Sequence, residues 1–101
     1  MVSRNKARGN RLERAVVKLA HSLGLSAKRA WASDGRSLGM HAEVDVVING
    51  LSYQCKKRRK IASYLFPSSN VHGQIVSQDR GGYYVVLRLQ DYLLEQRDRD
   101  E

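Results

Sequence analysis

The dipeptide Asn49-Gly50, set between two short runs of alternating residues, constrains the fold more than any other feature of this chain. Asn-Gly is the pair that best suits a two-residue type I′ turn, because both positions of that turn need a positive φ. The stretch EVDVVINGLSYQCKK, from Glu43 to Lys57, therefore predicts an antiparallel hairpin of fixed register. The expected pairs are Ile48 with Leu51, Val47 with Ser52, Val46 with Tyr53, Asp45 with Gln54, Val44 with Cys55, and Glu43 with Lys56.

This register gives the hairpin two different faces, because side chains alternate along a strand and paired residues share a face. The apolar face carries Val44, Val46, Ile48, Leu51, Tyr53 and Cys55. The polar face carries Glu43, Asp45, Val47, Ser52, Gln54 and Lys56. A polar face is often only solvated. An acidic residue opposite a metal-ligating side chain, with a lysine two positions on, also suits a divalent cation held beside a phosphate, where a water is oriented or deprotonated.

The charge of the chain favours phosphate-bearing partners. Its 18 Lys and Arg residues exceed its 10 Asp and Glu residues, which gives a net charge of +8 and a pI near 10.1. Such a surface attracts nucleic acid and releases counterions on binding. The sequence has no long apolar run, and so predicts neither a membrane partner nor an export signal. The single cysteine argues against an intramolecular disulfide or a structural zinc site. We expect a cytoplasmic, nucleoid-associated protein that binds DNA.

Periodicity predicts an order of α-β-β-β-α-β-β-α in one domain spanning residues 1–101. The first helix is expected from about Gly9 to Leu23, and a short helix is expected before Pro67. The remaining predicted strands lie in LSAKRAWAS, GQIVSQ and YYVVLRL, and the closing helix lies in QDYLLEQ. The fold class is therefore α/β, with a central mixed β-sheet flanked by helices.

Three segments together resemble a known nuclease family. The residues Asp45 and QCK resemble the Asp…(Asp/Glu)-X-Lys signature of the PD-(D/E)XK superfamily, whose fold is that of restriction endonucleases. RGNRLER is similar to the Gly-X-X-X-Glu-Arg start of the first helix in Holliday junction resolvases of the archaeal type, and KRAWAS resembles their basic strand. The segment YYVVLRLQDYLLE resembles the closing strand and helix of small phage-type members, so a phage-encoded protein fits as well.

The resemblance implies a DNA endonuclease that uses Mg²⁺ or Mn²⁺ and resolves four-way junctions as a homodimer. The implied catalytic residues are Asp45, Gln54, Lys56 and Glu13. The implied metal ligands are Asp45, Gln54 and the backbone carbonyl of Cys55, with Glu13 and Glu43 as further candidates. The candidate DNA-binding residues are Arg8, Arg11, Arg14, Arg29, Ser33, Arg36, Lys57, Arg58, Arg59 and Lys60.

Gln54 departs from the signature, because an amide brings a carbonyl oxygen without negative charge to a position usually held by a carboxylate. The chain is a natural QXK variant, a Glu→Gln knockout, or a DNA-binding module without catalysis. Another nuclease of the superfamily that nicks or repairs duplex DNA, or a homing enzyme, is a further alternative. Trp31 is expected in the core, with base stacking as its alternative. Cys55 is expected as a buried small hydrophobe.

Overall fold

The computed structural model describes residues 4–99, except for the side chains of residues 4–8 and of Ser33. The chain divides into two compact units, of which the first ends at Lys57 and the second begins at Arg58. Both units combine helix with antiparallel sheet, so the fold class is α/β. A single domain over residues 1–101 stays a prediction.

Helix α1 (Arg4–Ser22) opens the first unit. It begins earlier than Gly9, the start expected from the apolar repeat, because the preceding residues include good helix formers and no breaker. The helix ends in a Schellman motif: the amide of Gly24 donates to the carbonyl of His21, and that of Leu25 donates to the carbonyl of Ala20. Gly24 has the left-handed φ of 81° that this motif requires. The stop predicted at Gly24 is confirmed.

A three-stranded antiparallel sheet follows, in the order β1 (Ala27–Arg29), β2 (Val46–Ile48) and β3 (Leu51–Tyr53). Asn49 and Gly50 have φ values of 52° and 82°, as a type I′ turn needs. The predicted hairpin and its inner register are confirmed. The observed pairs are Ile48 with Leu51, Val47 with Ser52, and Val46 with Tyr53.

Beyond Val46 the predicted register is wrong, because a β-bulge interrupts it. The amide of Asp45 donates to the carbonyl of Tyr53 at 2.9 Å, although Tyr53 is already the partner of Val46. Two residues therefore face one, which is the arrangement of a bulge. The three outer pairs, Asp45 with Gln54, Val44 with Cys55 and Glu43 with Lys56, are absent from the observed ladder.

The core of the first unit lies between α1 and the sheet. Its buried apolar residues are Ala20, Leu25, Ala30, Val46 and Ile48. Leu51, predicted on the apolar face, is 49% exposed. The segment between β1 and β2 holds two short 3₁₀ turns, Trp31–Ser33 and Gly35–Leu38.

The second unit contains an antiparallel pair, β4 (Gly73–Ser77) and β5 (Tyr83–Leu87), followed by helix α2 (Leu89–Arg99). The predicted mixed sheet is wrong for residues 4–99, where both sheets are antiparallel. A parallel pair would need a long crossover, usually helical. The helix expected before Pro67 is only a 3₁₀ turn, Ser63–Leu65. The four consecutive cations from Lys57 to Lys60 disfavour a helical start through like-charge repulsion.

Arg88 fixes the loop that leads into β4. Its guanidinium donates to four carbonyl oxygens of that loop, those of Pro67, Ser68, Val71 and His72. A contact of 2.6 Å between Nε2 of His72 and Oε1 of Glu95 also connects this loop to α2. Within residues 4–99, no helix combines the length and apolarity needed to cross a bilayer.

Gly35 lies in a tightly packed part of the segment before β2. A Cβ there would collide with the His41 carbonyl and lie 2.7 Å from Cβ of Val44. We therefore expect Gly35→Ala to lower the free energy of unfolding by about 1–3 kcal/mol. Gly9→Ala is the matched control, because its Cβ meets nothing within 4 Å. It should raise stability by about 0.5–1 kcal/mol. Urea denaturation followed by circular dichroism measures both changes, and equal stability of the two variants would contradict the packing of Gly35.

Candidate functional site

Glu13 is a carboxylate on the buried side of α1. Glu13 is 2% exposed. It lies seven positions, or about two helical turns, before the buried Ala20 and so on the same side of the helix. Acidic residues are almost never fully buried unless they are paired or bind a cation, because removing a charge from water is costly. A carboxylate in this position is therefore a candidate for function.

Asp45 is the second buried acidic residue, at 8% exposed. The bulge holds its backbone between both neighbouring strands: its amide donates to Tyr53, and its carbonyl accepts from the amide of Ala30 at 2.8 Å. Its side chain also has a partner, because Oδ2 accepts a 2.7 Å hydrogen bond from the amide of Cys55. Asp45 is thus fixed by three hydrogen bonds to two segments, the end of β1 and the second strand of the hairpin.

Cys55 shows that the two carboxylates face one region. Burial first, and then the negative charges of Asp45 and Glu13, together raise the pKa of its thiol from 9.0 to about 11. Both carboxylates must lie near the thiol for their charges to act on it. Residues from α1, the start of β2 and the end of the hairpin therefore form one cluster, which we call the carboxylate pair: Glu13 and Asp45 beside Cys55.

Arg29 braces α1 close to this pair. Its Nη1 donates to the carbonyl of Asn10 at 3.4 Å, one turn before Glu13, and Arg29 itself faces Val46 in the sheet. The side chain is only partly buried. Arg29 was predicted to meet phosphates, and the observed contact adds a role in positioning the helix.

Gln54 and Glu43, both predicted as metal ligands, line a different surface. They border an open groove of about 280 Å³ together with His41, Ser52 and two apolar residues, and this lining includes neither carboxylate of the pair. Both side chains are exposed. Among residues 4–99, no group of three or more His, Cys, Asp or Glu side chains is arranged to hold a metal ion. The predicted ligand set is therefore split between two places.

The basic candidates are mostly on the surface. Exposed side chains include Arg11, Arg14, Lys56, Lys57, Arg58, Arg59 and Lys60. Arg36 is also exposed, and its guanidinium holds the pKa of Asp34 at about 2 through side-chain hydrogen bonds. The side chains of Arg8 and Ser33 lie outside the described residues.

The carboxylates of Glu13 and Asp45 fit a hard divalent cation that takes only a few of its ligands from the protein. Mg²⁺ is commonly held by one or two carboxylates, with water and substrate phosphates completing its coordination. The carboxylate pair supplies two such groups. A neutral Gln54 in the neighbouring groove is compatible with this smaller set.

Two features of the site were not predictable from the spacing of residues. The bulge turns Asp45 toward the buried side, whereas strict alternation had placed it on the solvated face. Trp31, expected in the core, is 80% exposed. Glu13 gave an indirect indication that Asp45 is buried, since an acidic residue on the apolar stripe of α1 indicates a polar neighbour inside.

The raised pKa of Cys55 predicts slow alkylation of the folded protein at neutral pH. The rate should reach half its maximum near pH 11, whereas the denatured chain should do so near pH 9.0. Because the folded pKa is the higher one, the stability due to the neutral thiol is full below pH 9.0 and is lost as the pH rises toward 11. Iodoacetamide labelling read by mass spectrometry measures this profile.

Asp45→Asn should shift the alkylation profile of Cys55 to lower pH, because it removes a negative charge beside the thiol. The control is Glu43→Gln, which removes a carboxylate from the neighbouring groove and should leave the profile in place. An equal shift in both variants would show that overall charge, and not the carboxylate pair, sets the pKa of the thiol.

Comparison with protein-family models, curated proteins and solved structures finds no match to this chain, so the functional argument depends on its own residues.

Proposed function

We propose that this protein is a Mg²⁺-dependent DNA endonuclease of the restriction-endonuclease-like type, which cuts four-way junctions as a homodimer. The observation that carries the proposal is the carboxylate pair, buried in a chain of net charge +8. A strongly basic protein has many cations available at its surface, yet these two acids lie inside. Carboxylates held together inside a phosphate-binding protein suit a divalent cation that contacts the phosphate.

The side chains of Glu13 and Asp45 would hold the cation, together with the backbone carbonyl of Cys55. When bound, Mg²⁺ supplies Lewis-acid polarisation of the phosphate and a more acidic water. Lys56, exposed one residue after Cys55, is suited to stabilise the negative charge that develops on the phosphate during hydrolysis. The Cys55 amide fixes the orientation of the Asp45 carboxylate, because it occupies Oδ2.

Phosphate contacts account for DNA binding in this proposal. The exposed cations that follow the hairpin, from Lys56 to Lys60, carry fixed positive charge directly after the candidate site. Contacts of this kind position a duplex but carry no sequence information. The protein would therefore recognise the shape of DNA. The resemblance of the sequence to Holliday junction resolvases implies that this shape is a four-way junction. Two symmetric cuts require two sites related by a two-fold axis, which a homodimer provides.

A DNA-binding module without catalysis is the second candidate. It is favoured by the position of Gln54, which is exposed in the neighbouring groove, and by the lack of a three-ligand group among residues 4–99. Such a protein would share the salt-dependent affinity of the enzyme but would not cut DNA with any metal.

Cleavage of a labelled four-way junction separates these functions. The protein should make paired symmetric nicks in Mg²⁺, and Asp45→Asn and Glu13→Gln should each slow cleavage by about a hundredfold or more, because each removes a charge that holds the cation. Circular dichroism confirms that the variants fold. Activity that appears only in Gln54→Glu would mark the present chain as a disabled enzyme.

A matched linear duplex is the substrate control for this experiment. Equal cutting of duplex and junction would replace the junction resolvase with another nuclease of the superfamily. Tight junction binding, with no cleavage by either the protein or Gln54→Glu, would leave the DNA-binding module as the function.

The basic segment predicts a measurable salt dependence. The double substitution Arg59→Gln with Lys60→Gln should reduce the slope of log Kd against log salt by about 2, because each phosphate contact contributes about 0.9 to that slope. The control removes the same charge from α2, by Arg97→Gln with Arg99→Gln, and should leave the slope nearly unchanged. Identical slopes for both doubly substituted proteins would exclude the basic segment from the DNA path.

A further inference from the structure

Trp31, the only tryptophan of the chain, lies on the surface beside the candidate site. It is 80% exposed, which is unusual for the side chain with the largest apolar area. Its position follows directly from the site: the amide of the preceding residue, Ala30, is hydrogen-bonded to the carbonyl of Asp45 at 2.8 Å. Trp31 therefore lies one residue beyond a backbone hydrogen bond to Asp45.

The backbone of Trp31 is held in place at both of its polar groups. Its amide donates to Oγ of Ser37 at 2.9 Å, and its carbonyl accepts from the amide of Asp34 at 3.0 Å. The hydroxyl of Ser37 in turn donates to the carbonyl of Asp34 at 3.0 Å, and Asp34 pairs with Arg36. An exposed indole on such a braced turn loses little conformational freedom when a ligand covers it.

The residue after Trp31 has a conformation that alanine rarely adopts. Ala32 has φ 53° and ψ 31°, in the left-handed region, where its Cβ crowds the backbone. Backbone strain of this kind persists where surrounding contacts enforce it, and it clusters at functional sites. Here the strain accompanies an arrangement that keeps a large aromatic ring in solvent.

The surroundings of the indole indicate the chemistry of its ligand. The residue that follows it, Ala32, is small, and Arg36 in the next 3₁₀ turn is an exposed cation. A flat aromatic ring in a chain of net charge +8 suits a flat base attached to a phosphate backbone.

We propose that the indole of Trp31 is a stacking platform for an unpaired nucleobase of DNA, beside the phosphate bound at the carboxylate pair. This inference rests on the proposed function and names a substrate feature: DNA in which a base is free to leave the helical stack. Continuous duplex offers no such base, so Trp31 favours branched or interrupted DNA over it.

The single tryptophan makes the test direct, because all indole fluorescence comes from Trp31. The probes are a short DNA duplex with one unpaired thymidine and the same duplex fully paired, both titrated in EDTA so that no cleavage occurs. Stacking should quench the fluorescence strongly with the first probe and weakly with the second. Trp31→Ala should lose roughly tenfold in affinity for the interrupted duplex and little for the paired one, whereas Trp31→Phe should retain most of the affinity.

Phe66→Ala is the matched control, because it removes an exposed aromatic ring from the second unit, where Phe66 is 60% exposed. It should bind both probes as the parent protein does. Equal binding of the two probes, without quenching, would overturn the stacking proposal and leave the endonuclease intact. No binding of either probe would overturn both proposals, and quenching by unpaired RNA alone would overturn the assignment to DNA.

Discussion

The hydrogen bond from the Cys55 amide to the Asp45 carboxylate is the interaction on which the candidate site depends. At 2.7 Å it connects the end of the hairpin to the start of β2 in place of the strand pair that regular register would have made. A backbone amide that lost its partner in the interrupted ladder is satisfied by a side chain, and a partly buried carboxylate gains a donor. The bulge interrupts the ladder, and this hydrogen bond gives the freed Cys55 amide a new partner.

Contacts around this bulge connect the hairpin, β1 and α1. The carbonyl of Asp45 holds β1 through Ala30, and Arg29 on β1 reaches the backbone of α1 one turn before Glu13. The helix in turn ends in a Schellman motif that sends the chain back into β1. The position of Glu13 relative to Asp45 is thus supported by backbone hydrogen bonds and by the side chain of Arg29. The pKa of the Cys55 thiol is raised by its burial in that arrangement and, to a smaller extent, by the two carboxylates.

The surface and the interior of this protein have opposite electrostatic character. The cations are largely exposed and extend along the segment after the hairpin, while the two charged residues that are buried among the described side chains are both acidic. In the proposed function, the exposed cations would attract a polyanion and the buried acids would hold a divalent cation beside it. The exposed ring of Trp31, which belongs to the first unit as the carboxylate pair does, would add an attraction for bases that salt does not screen. These three features are the basis for proposing DNA with a disturbed helix as the substrate.

The amino-acid sequence by itself determined the elements whose causes are local. Asn49-Gly50 set the turn and the inner register of the hairpin, Gly24 set the end of α1, and the composition set the charge. These depend on backbone preferences of one or two residues and on side-chain period, so neighbouring residues suffice. Glu13, Asp45 and Lys56 were also named from the sequence as candidate site residues, whereas the approach of Glu13 and Asp45 to Cys55 was not predicted.

Only the tertiary structure decided which face Asp45 takes, that Gln54 and Glu43 lie in another groove, and that Trp31 remains in solvent. A bulge moves the side chains beyond it to the opposite face of the strand. The residue types at positions 43–46 do not predict a bulge. It arises because Asp45 must satisfy Ala30, Tyr53 and Cys55 at once. The physical reason is that these partners come from two separate segments, the end of β1 and the second strand of the hairpin, which meet at Asp45 only when the chain has folded.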